Sequence, residues 1–211
     1  MGKRTKNIFA TADWHIGHKN VLEYDNRPFK DLHTMHMGLI RRFNATVSDN
    51  DVCYFLGDMG ICTSELLGWV IAQLNGTKIL ILGNHDKGVE AMHVIGFDAV
   101  MYSSSMVIAN EMVSMTHCPL RGVRREDTSD MNNAVATDNW HGEHRQNNFS
   151  KEDVGQFHLH GHIHSPNGGK SVRELGRQYD VGVAANKYCP VSISKIEKFI
   201  HRVKMKEKEV S

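Results

Sequence analysis

Cysteine is scarce and scattered in this chain: Cys53, Cys62, Cys118 and Cys189 form no CxxC pair. That usage argues against a disulfide framework or a clustered thiolate zinc site, and favours reduced thiols packed in a core. An excess of charge of one sign is also missing. Lys and Arg number 25 against 24 Asp and Glu, a formal net charge of +1, so the chain carries no global electrostatic footprint for nucleic acid or for a membrane surface. No stretch reaches the length of a membrane span, and the basic start MGKRTKNIFATAD has too short an apolar run for a signal-peptide core. Cytoplasmic residence is the expectation. Nothing resembles a Pro-, Gly- or Ser-rich linker, so the 211 residues are read as a single domain, 1–211. With 40% apolar and 23% charged residues they can build a sizeable core.

Histidine, in contrast, is abundant, with fourteen in the chain. In FHLHGHIHS (157–165) it falls at every second position, His158, His160, His162 and His164. Side chains two apart share one face of an extended strand, so this spelling allows a row of four imidazoles.

Short apolar runs that end in polar residues recur along the chain. NIFATAD (7–13), DVCYFLGD (51–58) and TKILILGNHD (77–86) read as buried strands that deliver carboxylates, an amide and a histidine at their carboxyl ends. DLHTMHMGLIRRFNATV (31–47) has helical spacing, SELLGWVIAQLNG (64–76) reads as a helix started by Ser64 and stopped at Asn75-Gly76, and SISKIEKFIHRV (192–203) as a closing helix. Successive strands are expected over 97–120, the last ending in His117, and a further strand over YDVGVAA (179–185). This order implies an α/β fold with a mixed sheet system flanked by helices. Ligands of open α/β sheets bind at the carboxyl ends of strands, where Asp13, Asp58, Asn84 and His117 are all expected. Residues 121–156 are polar without a clear period, which reads as a functional insertion or lid.

Taken in order, the polar blocks are D-x-H (Asp13, His15), Gly57-Asp58, Gly83-Asn84-His85-Asp86, a lone His117, and G-H-x-H (His162, His164). These five blocks, in this order over residues 13–164, resemble the signature of the calcineurin-like metallophosphoesterase family. The segments DWHIGHKN, YDNRPF and DVGVAANKYCPVS resemble a compact branch found in bacteria and their phages, extending the likeness to about residue 195. The resemblance implies two mixed β-sheets packed as a sandwich flanked by helices, the metallo-dependent phosphatase-like architecture.

It also implies a binuclear centre. Asp13, His15, Asp58 and His164 would hold one divalent ion; Asp58 would bridge; Asn84, His117 and His162 would hold the other. Imidazole, carboxylate and amide oxygen form a borderline-hard donor set suited to Mn, Fe, Zn, Ni or Co, with Mn the expected metal. The implied activity is hydrolysis of phosphomonoesters or phosphodiesters by in-line attack of a metal-bridging hydroxide, with His85 serving the leaving oxygen and Asp86 orienting its ring. A small nucleotide-like or cyclic phosphodiester is the expected substrate. A nuclease acting on DNA or RNA ends is the alternative within enzymes, and a non-catalytic metal-binding interaction scaffold the alternative outside them.

Around this set several residues have two open readings. His18 and Asn20 either touch substrate or cap the local turn. Arg27 in NRPF either clamps phosphate through its planar fork or forms a surface ion pair. Arg121, Arg124 and Arg125 either line the entrance or form a solvated run, and Trp140, His141 and His144 either stack on a base or anchor the lid. In FHLHGHIHS, Gly161 is expected to end the strand through its backbone freedom, aiming His162 and His164 at two ions. His160 is then a supporting or core residue, and His158 a structural bystander. His33, His36, His93 and His201 are read as surface or satisfied core histidines.

Overall fold

The computed structural model describes residues 6–120, 153–165 and 174–210. It is an α/β arrangement of two mixed five-stranded sheets with helices. The first sheet contains β1 (Ile8–Thr11), β2 (Val52–Phe55), β3 (Thr77–Ile81), β4 (Ala99–Met101) and β10 (Val191–Ser192), in the order β10-β1-β2-β3-β4. Strands β1 to β4 are parallel, and β10 lies antiparallel on the β1 edge. The second contains β5 (Ser104–Ile108), β6 (Glu111–Met115), β7 (Phe157–His160), β8 (Glu174–Leu175) and β9 (Gln178–Asp180), in the order β5-β6-β7-β9-β8. There β6, β7 and β9 run parallel, with an antiparallel strand at each edge.

The period of two in the apolar runs decides which layer each residue enters. On one face of the first sheet Phe9, Cys53, Phe55 and Leu80 join a core with Met35, Leu39 and Phe43 of α2 (Leu32–Asn44), Leu67 and Val70 of α3 (Ser64–Ile71), and Met92 of α4 (Val89–Ile95). Their neighbours Ala10, Leu56 and Ile81 enter the other core, against Val113, Met115, Phe157, Leu159 and Tyr179 of the second sheet and Ile196, Phe199 and Ile200 of α5 (Ile193–Val210). The first sheet is therefore covered on both faces, which is why its strands read as nearly continuous apolar runs.

The helix ends follow from local polar chemistry. Asp31 caps α2, its side chain accepting from the Thr34 N–H while Thr34 returns a hydrogen bond, a capping box. The cap of α3 is Thr63, one residue before the expected Ser64, because its hydroxyl reaches the Leu66 N–H. The expected strand over 179–185 is shorter than its apolar spelling. Asp180 accepts from the Gly182 N–H and turns the chain out of β9 into a 3-10 turn at Ala184–Asn186. The short α1 (Val21–Tyr24) and β8 have too few residues to show a period.

His33 and His201 are exposed, His36 is buried and accepts from the Gly17 N–H, and His93 is held on the Phe97 carbonyl. Of the 121–156 insertion, residues 121–152, with Arg121, Arg124, Arg125, Trp140, His141 and His144, lie outside the described residues. No helix among the described residues is long and apolar enough to cross a membrane.

Candidate metal centre

Parallel strands put their carboxyl ends on one edge. Asp13 and His15 follow β1, Asp58 follows β2, Asn84, His85 and Asp86 follow β3, His117 follows β6, and His162 and His164 follow β7. The two sheets are joined at this edge, where Ala12 bridges Gly182 and the Val183 N–H bonds to the Ala12 carbonyl.

The first donor group is Asp13, His15 and Asp58, all buried, and the half-buried His164, with donor atoms within 4.8 Å of one another. His15 Nε2 lies 2.9 Å from His164 Nε2 and 3.7 Å from Asp58 Oδ2, and His164 Nε2 lies 3.9 Å from Asp13 Oδ1. In the second group, Asn84 Oδ1 is 2.9 Å from His117 Nε2 and 3.1 Å from His162 Nδ1. The two rings approach to 3.2 Å. Asp58 Oδ2, 3.4 Å from His117 Nε2, therefore stands between the groups.

These are acceptor atoms aimed at acceptor atoms. His117 Nδ1 donates to the Leu56 carbonyl at 2.7 Å, and His164 Nδ1 lies 2.9 Å from Asp25 Oδ1. If those nitrogens carry the ring protons, both Nε2 atoms present lone pairs toward their neighbours. Such a cluster requires either extra protons or a cation. A divalent ion bound at 2.0–2.2 Å places adjacent donors about 2.8–3.6 Å apart in octahedral or tetrahedral geometry, close to the spacings found. The residues fit a metal, and their N/O chemistry fits first-row divalent ions.

The electrostatics agree. Burial works against charge on Asp58, yet the imidazoles of His117, His15 and His85 hold its carboxyl well below the usual range. Burial opposes a proton on His117 as well, but the Asp58 carboxylate beside it pushes the ring up to about 10. Asp13, buried and near the Asp58 and Asp180 carboxylates, is pushed up to about 6. Buried groups with opposed shifts make this cluster a candidate functional site.

The backbone is strained at the same positions. Asp13, His15, Asp58, His162 and His164 all have positive φ, between 45° and 71°, a conformation uncommon outside glycine. Each such residue costs about 1–3 kcal/mol and persists where its surroundings over-determine it. At the β7 exit the left-handed turns are thus made by the two histidines themselves. Gly161 serves in another way than expected: a Cβ there would meet Ala12 Cβ at 2.5 Å and Asp13 Oδ2 at 2.6 Å. Its bareness lets the His162 N–H reach both Asp13 oxygens at 3.0 Å.

The other expected site residues fall into place differently. His85 stands at the rim, its side chain 27% exposed and its Nε2 3.9 Å from Asp58 Oδ2, with its backbone N–H on Asp58 Oδ1. Asp86 does not orient that ring. Its carboxylate accepts from the N–H groups of Asp58, Met59 and Gly83, so it pins the β2 exit to the β3 exit. Arg27 is no phosphate clamp: its side chain is wholly buried, with its guanidinium on the Trp14 and Asp13 carbonyls and on Asp25, leaving no fork open to a substrate. His18 is half-buried near His15, ring centroids 5.7 Å apart. Asn20 is exposed before α1 without a side-chain cap.

His158 bonds through both nitrogens, to Ser114 on one side and to Thr116 and the Cys118 carbonyl on the other. His160 stacks on it at 6.0 Å, and its Nε2 is buried without a hydrogen-bond partner among the described residues. Two neighbours of the donor groups were missed. Asp25 sits in the quoted YDNRPF block but touches His164, 139 positions away. The Cys118 Sγ lies within 4.8 Å of ring nitrogens of His117 and His162, where the scatter of cysteines in sequence suggested only packing.

No family model matches the chain. It is 28% identical over 204 residues to the uncharacterized protein MJ1445 of Methanocaldococcus jannaschii, covering 95% of this chain and 94% of that one. It is 30% identical over 168 residues to the Gene 66 protein of Mycobacterium phage L5, covering 76% of this chain and 78% of the phage protein. The Gene 66 protein of Mycobacterium phage D29 gives 30% over 167 residues, 75% and 79% of the two chains. The crystal structure of AQ665, a protein of unknown function from Aquifex aeolicus, has a TM-score of 0.65 at 22% identity, covering 92% of this chain and 99% of that one. At that identity the likeness speaks for the fold alone.

Proposed function

We propose that this chain, which belongs to the family of the Gene 66 proteins of Mycobacterium phages L5 and D29, is a binuclear metal-dependent phosphoesterase of calcineurin-like type. The observation that carries this reading is the pair of facing donor groups joined by Asp58 Oδ2, 3.7 Å from His15 Nε2 on one side and 3.4 Å from His117 Nε2 on the other. Asp13, His15, Asp58 and His164 would hold one ion, and Asp58, Asn84, His117 and His162 the other. Divalent ions bound there would supply positive charge opposite the phosphoryl oxygens and would lower the pKa of a coordinated water to about 7.

The chain's own residues do the rest. His85, partly exposed at the rim, would give a proton to the leaving oxygen, a contribution of about 10²–10⁴ in rate. Its backbone N–H on Asp58 fixes the ring's base relative to the centre. Asp86, by gathering three N–H groups from two loops, keeps His85 and Asp58 in one frame. His18 is half-buried beside His15, with its Nδ1 buried and without a hydrogen-bond partner among the described residues, so a substrate would meet the rest of its ring. The substrate class is a phosphate mono- or diester, with a small nucleotide-like or cyclic diester favoured.

The test is to strip the purified protein with a chelator, reload it with Mn²⁺, Fe²⁺, Co²⁺, Ni²⁺ or Zn²⁺, and assay aryl phosphate monoesters and diesters beside cyclic nucleotides and single-stranded nucleic acid. Mn²⁺-dependent turnover of the aryl diester is expected. Preference for nucleic-acid ends would favour the nuclease reading. Metal uptake without hydrolysis under every metal would leave only an interaction scaffold.

A further inference from the structure

We propose that Asp25 and Arg27 form a buried brace that positions His164 and thereby sets the affinity of one metal group and not the other. The proposal deepens the two-ion reading above and rests on it.

The brace is continuous. Both Asp25 oxygens approach His164 Nδ1, at 2.9 and 3.0 Å. A carboxylate can only accept, so Nδ1 carries a ring proton, and in the neutral ring the Nε2 lone pair faces His15 Nε2 at 2.9 Å. Behind Asp25, Arg27 donates Nε and Nη2 to Oδ2 at 3.0 and 2.8 Å. The same guanidinium donates Nη1 to the Trp14 carbonyl and Nη2 to the Asp13 carbonyl, each at 2.9 Å. One planar cation thus ties the turn that carries Asp13 and His15 to the carboxylate that aims His164, joining donors of one group that are far apart in the sequence.

Charge and reach make the brace selective. Arg27 offsets the charge of Asp25, so the pair adds direction to His164 with little net charge. The second group is braced elsewhere: His117 Nδ1 donates to the Leu56 carbonyl. Partners of this kind, when removed, cost about 10–100-fold in metal affinity. Asp25 and Arg27 are positioning residues, acting through His164 without touching a reacting atom.

The experiment is a calorimetric titration of the full-length protein with MnCl₂, resolved into two binding steps. Asp25→Ala is expected to weaken one step by about 10–100-fold and leave the other as in the wild type, which also reports that the chain is folded. Arg27→Lys keeps the charge but loses the planar fork, and is expected to weaken the same step by less. If Asp25→Ala does not fold, Asp25→Asn serves: its one carbonyl oxygen cannot satisfy ring and guanidinium together, so the same selective loss follows. Nitrogen NMR of the zinc-loaded wild type is expected to show the His164 proton on Nδ1. Equal weakening of both steps, or of neither, overturns the proposal. Wild-type protein that takes up no metal defeats the two-ion reading itself, an outcome recognised before any variant is made.

Discussion

In the first donor group the imidazole of His164 leans on a carboxylate that is itself held by a guanidinium, whereas in the second the imidazole of His117 leans on the Leu56 carbonyl. Both partners fix the same tautomer. They differ in what can change them. A side-chain brace can be altered by one substitution and can shift with its surroundings. A main-chain carbonyl at the end of β2 moves only if the sheet moves. The two groups combine one tunable end with one set by the fold, and Asp58 is their common member.

The largest expected effect breaks the comparison at that member. Asp58→Asn should lose both ions and all measurable turnover, read as metal stoichiometry after gel filtration. Retention of either ion would show that the carboxylate does not join the groups. Next come the single-group losses. His164→Ala and His117→Ala should each reduce the stoichiometry from two ions to one, and a variant emptied of both would mean that the groups are not separable.

His85→Ala should keep both ions and lower turnover by about 10²–10⁴, most for esters with poor leaving groups. Full activity on such esters would remove His85 from proton transfer. Gly161→Ala should destabilise the fold by about 1–3 kcal/mol through overpacking against Ala12 and Asp13, with a selective loss at the first group, measured by thermal denaturation and metal titration together. The smallest effect calibrates the rest. Asp31→Ala removes a cap remote from the centre, lowering the melting temperature slightly, and should leave both metal affinities unchanged.

The elements that position the centre were legible in the sequence because burial on two faces writes continuous apolar runs, and because each run ended in polar groups that only a shared use explains. Asp13, His15, Asp58, Asn84, His117, His162 and His164 do converge. What lay beyond reach was second partners. Asp25 and His164 are 139 residues apart, a separation at which no local pattern signals contact. The letters Asn84-His85-Asp86 suit equally a carboxylate that turns an imidazole and one that gathers N–H groups, and only the loop's course selects the second. Arg27 read as a phosphate clamp or a surface ion pair since arginine is seldom fully buried; in the fold its guanidinium is met by the Trp14 and Asp13 carbonyls beside the left-handed turn at Asp13.

The seam between the sheets has a further consequence. His15 and His164 meet across 149 positions of chain, so an ion shared between them would act as a removable cross-link that closes most of the polypeptide into a ring. Loop-closure cost rises only slowly with length, about 0.6 kcal/mol per doubling, but an unfolded chain must meet it before it can bind. The folded form alone would therefore capture the ion, gaining about 2.7 kcal/mol at a hundredfold excess over the dissociation constant. The melting temperature would then report the metal supply, and the ends of the strands would be fastened most firmly when the protein is loaded to work.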